Sequence, residues 1–173
     1  MLIRNNELME KGMSITYEDI KKQRANLESK YRLRKAELQK YGHKLVHEYC
    51  ASLSLTNSVW RDSEGDEYSY VSIGSVDEKG KFHKKPLESL SLSENYELKF
   101  KIATTVDDSP LTGGDLHAVS ISMWIINGNL HVDVGGGQKE FIISSPSEEG
   151  VFIEVCSAIK QLIIMSFTDS RLD

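Results

Sequence analysis

The sequence predicts an α+β domain: a long N-terminal helix, an antiparallel sheet of about five to seven strands, and a C-terminal helix packed on the sheet. Three observations carry this. Helical patterning runs unbroken over 16–53, period-two alternation replaces it over 54–144, and a broad apolar helical stripe follows over 145–168. Residues 1–15 read as a flexible leader before a single domain of residues 16–173.

The leader has no apolar core of signal-peptide type, which makes the cytoplasm the expected location. Glu10-Lys11-Gly12 requires purine-rich codons just upstream of Met13, so translation from Met13 is also expected. Thr16 and Asp19 form a capping-box pattern, and Glu18 and Asp19 suit the positive end of a helix dipole. Beyond them only Gly42 weakens the helix, by about 1 kcal/mol relative to alanine. A heptad frame places Ile20, Leu27 and Tyr41 at d and Tyr31, Leu38 and Leu45 at a, with Arg24 and Arg34 interrupting the seam. In a parallel dimer this frame sets Lys30 against Lys35, so an antiparallel helix pair through those six apolar residues, or packing of the helix against the chain's own body, is expected in place of a parallel zipper.

Strand patterns appear at Tyr68 to Ile73 and Tyr96 to Ile102. Asn127-Gly128 is a strong hairpin signal, because a type I′ turn needs positive φ at both central residues. With these two as the loop, paired residues sum to 255. Ile125 faces Leu130, Met123 faces Val132 and Ile121 faces Val134, which gives one wholly apolar face. A slip of one residue mixes the two faces. The other face carries Ser122, Trp124, His131 and Asp133. Gly135-Gly136-Gly137 and Thr112-Gly113-Gly114-Asp115 read as turns, since no helix follows either and a phosphate loop requires one. Ser145-Pro146-Ser147-Glu148 reads as the start of the last helix. That helix is apolar over most of its girth and needs cover on two sides.

Composition bounds the function. The chain has 173 residues, 21 Lys+Arg, 26 Asp+Glu and two cysteines, and its apolar runs reach four residues, as at Leu162 to Met165. Disorder, a disulfide framework and a helical membrane span are all disfavoured. Net charge divides along the chain: residues 16–50 hold nine basic and five acidic groups (+4), and residues 51–173 hold ten and nineteen (-9). An acidic body of this kind favours a basic protein as partner through steering. The basic residues of the helix scatter around it, which argues against nucleic acid.

His43, His47 and Cys50 lie at i, i+4 and i+7, but a fourth zinc ligand and an HExxH glutamate are both missing, so neither metal nor cofactor is expected. Ser122, His131 and Asp133 have the composition of a triad. Their expected pairing places Asp133, not His131, opposite Ser122, which does not suit a relay. The reading is therefore a non-catalytic cytoplasmic binding protein, an inhibitor, immunity-type or chaperone-like partner of a basic protein. Its candidate contacts are Asp62, Glu64, Asp66, Glu67, Asp107, Asp108, Trp124, His131 and Asp133. The alternatives are a small hydrolase-like enzyme on the polar face of the 116–134 hairpin and a self-association module dimerising through the helix.

Overall fold

Helix α1 spans Tyr17–Ser52, and the capping box at its start forms as the sequence implies. The Thr16 N–H donates to Asp19 Oδ2 at 2.8 Å, and the Asp19 N–H donates to Thr16 Oγ1 at 3.2 Å. The structure, a computed structural model, describes residues 14–173; the Met13 start and all but the last two residues of the expected leader lie outside that range. The chain divides into two compact units, one ending at Arg34 and the other running from Lys35 to Asp173. In the first, Ile20, Leu27 and Leu33 are exposed and Tyr31 is half-buried.

The second unit contains the sheet and the core. Strands β1 (Val59–Arg61) and β2 (Glu67–Ser69) form a small hairpin. Six further strands form one antiparallel sheet: β3 (Val71–Val76), β4 (Phe82–Lys84), β5 (Leu98–Thr105), β6 (Leu116–Ile126), β7 (Asn129–Val134) and β8 (Lys139–Ile143), in the order β4-β3-β5-β6-β7-β8. Helix α2 spans Ile153–Ser166. The Asn127-Gly128 hairpin has the expected register, with Ile121 opposite Val134, Met123 opposite Val132 and Ile125 opposite Leu130. Its turn residues have φ of 50° and 78°.

One face of the sheet forms the core. Leu98, Phe100, Ile102, Ile121, Met123, Leu130 and Val132 are buried there with Leu38, Leu45 and Tyr49 of α1 and Phe152, Val155 and Ile159 around the start of α2. Gly42 lets α1 approach closely, because a Cβ there would lie 2.8 Å from Leu87 Cδ1 and 3.6 Å from Leu98 Cδ2. The Tyr49 and Thr104 hydroxyls share a buried 2.7 Å hydrogen bond between helix and sheet. Tyr49→Phe orphans the Thr104 hydroxyl, and an expected loss of about 1–3 kcal/mol follows. The double variant Tyr49→Phe/Thr104→Val should recover most of that loss, because neither partner is then left unpaired; urea denaturation of the three variants checks the cycle.

Four expectations need correction. Leu38 and Leu45 cannot serve self-association, since both are fully buried in the second unit's own core. The strand pattern over Tyr68 to Ile73 is split at Tyr70 into β2 and β3, which belong to different sheets. The last helix begins at Ile153 and not at Ser145. Residues 145–148 instead form a turn in which the Glu148 N–H bonds the Ser145 carbonyl at 3.1 Å, and Gly150, at φ 70°, breaks helical continuity before Phe152. Nor is α2 covered all round: Ile153, Ile164 and Met165 are exposed.

Candidate binding surfaces

The two acidic loops, 40 residues apart at their closest candidate members, Glu67 and Asp107, are brought together at one end of the sheet. The Ser63 N–H donates to the Pro110 carbonyl at 2.7 Å, and the Tyr70 hydroxyl donates to Asp108 Oδ2 at 2.7 Å. Trp60 is buried and stacks on Tyr68, with ring centroids 4.9 Å apart. Residues 59–70 and 105–116 together hold seven carboxylates and one basic side chain, Arg61, which pairs with Glu67.

These carboxylates divide by role. Asp62 Oδ1 accepts from the N–H groups of Glu64 (2.9 Å) and Asp66 (3.0 Å), and Oδ2 accepts from the Tyr68 hydroxyl (3.1 Å). Desolvation works to raise the Asp62 carboxyl, but these donors outweigh it and hold it below the ordinary carboxylate range. Asp107 closes its own loop through Ser109 N–H and Thr112 Oγ1. Asp108 holds Tyr70, whose hydroxyl is raised by that bond. Asp62, Asp107 and Asp108 therefore build the surface, while the exposed Glu64 and Asp66 side chains are presented by it.

Trp124, His131 and Asp133 lie elsewhere, toward the Asn127-Gly128 end of the sheet. Trp124 is eight residues along β6 from Leu116, about 27 Å at strand rise. All three are half-buried on the sheet face away from the core. The His131 ring stacks on Trp124, with centroids 5.4 Å apart and 20° between planes, and its Nδ1 lies 2.9 Å from Glu140 Oε1. Asp133 Oδ2 accepts the Gly137 N–H at 2.8 Å. Ser122 is paired across the strands with Asp133. His131 thus bonds Glu140 and Asp133 bonds the Gly137 N–H, so the His131–Asp133 link of a Ser-His-acid relay is not made.

His43 pairs with Glu88 at 2.5 Å, His47 is exposed and Cys50 is half-buried. Among the described residues no group of three or more His, Cys, Asp or Glu side chains is arranged to hold a metal ion. Both thiols are free. Burial raises Cys50, and burial followed by the nearby Glu48 charge pushes Cys156 up to about 11, so neither is poised as a thiolate at neutral pH. No described helix is long and apolar enough to cross a membrane.

No family model, curated protein or solved structure matches this chain. The surfaces above are therefore interpreted from their chemistry alone. Sequence reasoning found the acidic residues but missed that Tyr70 ties the loops together. It also missed Glu140, the carboxylate bonded to His131, although the 255 register and the short 135–138 turn together carry the signal for it.

Proposed function

We propose that this protein is a non-catalytic binding protein for a basic protein partner, of the inhibitor, immunity or chaperone-like kind. The observation that carries the reading is the joining of two distant acidic loops into one surface with seven carboxylates and a single, already paired arginine. Such a surface raises the rate of encounter with a cation-rich partner and loses that advantage in salt. Trp124 adds an aromatic contact on the outer sheet face.

The test separates presented charges from structural ones. Affinity capture from native lysate at about 0.05 M salt should retain a basic protein that about 0.5 M salt releases. The pair Glu64→Lys/Asp66→Lys should weaken that capture about tenfold or more without altering the circular dichroism or melting temperature. Capture that is unchanged by the reversals, or by salt, counts against the reading.

A further inference from the structure

We propose that the open edge of β8 accepts an extended, Lys/Arg-bearing segment of the partner as a seventh strand. This rests on the reading of a basic partner given above and assigns that partner a backbone-mediated contact, remote in sequence from the acidic loops.

Hydrogen-bond direction in the sheet follows from one contact and the strand registers. The Gly135 N–H donates to the Ser120 carbonyl at 2.8 Å, which makes even-numbered β6 residues the ones that bond toward β7. In β7, residues 129, 131 and 133 are then used by β6, and 130, 132 and 134 are left for β8. Their partners in β8 are Ile143, Phe141 and Lys139. Glu140 and Ile142 therefore point their N–H and C=O groups away from the sheet, and β8 has no neighbour on that side among the described strands. An unpaired strand edge is a template for another extended backbone.

The surroundings specify the kind of segment. A groove of about 400 Å³ runs along this edge, lined by Ile142, Ser144, Glu148, Val151, Glu154 and Val155, among others. Alternate residues of an added strand face opposite sides. One set lies beside Glu140 and Asp133 on the outer face, next to the Trp124-His131-Ile142 row. The other set enters the groove, where the half-buried Val151 offers apolar surface and the exposed Glu148 and Glu154 offer negative charge. Lys139 is the one basic residue on β8, and its ammonium lies over the Phe141 ring at 5.3 Å from the centroid.

Protected edges are blunted by charge, proline, bulges or a covering segment; β8 carries its two charges, Lys139 and Glu140, at its start, and beyond them Ile142 is 65% exposed. A second copy fits poorly, because a β8 from another molecule brings its own Glu140, Glu148 and Glu154 against the first set. A basic segment meets the same carboxylates with complementary charge.

The test uses the full chain, NMR and three capped octapeptides: alternating Val and Lys, the same peptide N-methylated at every second residue, and alternating Val and Glu. The Val/Lys peptide should protect the Glu140 and Ile142 amides from exchange and bind about tenfold or more tightly than either other peptide. Glu148→Lys/Glu154→Lys should lower its affinity by a similar factor, while Glu64→Lys/Asp66→Lys leaves it unchanged. Equal binding of the N-methylated peptide, failure of the Val/Lys peptide to bind, or peptide-free protection of β8 with a dimeric mass would each overturn the inference. Protection confined to residues 62–67 and 107–108, lost on reversal of Glu64 and Asp66, would overturn it and leave the acidic-loop reading standing.

Discussion

Replacing Phe152 with alanine is expected to destabilise the protein by about 3–5 kcal/mol, the range for losing a fully buried aromatic side chain. For a chain of this length the melting temperature should fall by roughly 6–20 °C. Phe152 has no exposed surface and is among the largest fully buried side chains. Its ring lies under the Lys44 ammonium, 5.8 Å from the centroid, between the start of α2 and the neighbouring α1. Its main-chain bonds, N–H to Glu48 Oε1 at 3.3 Å and carbonyl to the Cys156 N–H at 2.8 Å, survive the substitution. The loss is therefore one of packing and cavity, and the site has little freedom to collapse because both flanking segments are anchored. Phe152→Leu, which keeps most of the volume, should cost less than about 1.5 kcal/mol. Urea denaturation of the two variants checks this; a loss under 1 kcal/mol for alanine, by the same scale of core substitutions, contradicts the packing described here.

What the sequence revealed of this fold, and what it concealed, follows from the range of the interactions involved. The capping box at Thr16 and the Asn127-Gly128 hairpin were legible because each is decided within a few residues. The apolar alternation then carried the hairpin register through to a correct core face. The start of α2 was misread because Ser145, Pro146 and Glu148 serve a turn as well as a helix, and the left-handed Gly150 decides between them. The a/d seam of α1 was correctly seen as apolar, but periodicity does not say what covers it. Leu38 and Leu45 meet the sheet, and Ile20 and Leu27 do not share that burial.

The site was legible as residue types and not as a place. Asp62 and Asp108 read as like-charged surface groups, whereas each is an acceptor that fixes a tyrosine. Trp124 and His131 were correctly placed opposite one another, and they do stack. Their separation from the acidic loops emerges only from the length of β6. The open edge of β8 depends on which strand lies last in the sheet, a long-range fact that local patterning does not contain.

Gly113→Ala should cost about 1–3 kcal/mol, as overpacking does, and should also disrupt the acidic surface. A Cβ at this position would lie 2.4 Å from the Ser109 carbonyl oxygen, 3.1 Å from the Asp107 carbonyl oxygen and 2.8 Å from Trp60 Cζ3. Two of these obstacles are main chain, held by the very bonds that define the loop: Gly113 N–H to Ser109 O at 2.7 Å and Gly114 N–H to Asp107 O at 2.8 Å. Relief requires the loop to open, which carries Asp107 and Asp108 away from the 62–67 hairpin and uncovers the Trp60 indole. Trp60 reports this directly. In a Trp124→Phe background its emission should shift to the red in Gly113→Ala, and capture of a basic partner should weaken along with it. If the emission stays blue while stability falls, the strain is absorbed elsewhere and the loop does not organise the surface. If the emission shifts and capture is undiminished, the partner does not use the two loops as a unit, and the acidic surface loses its place in the proposed function.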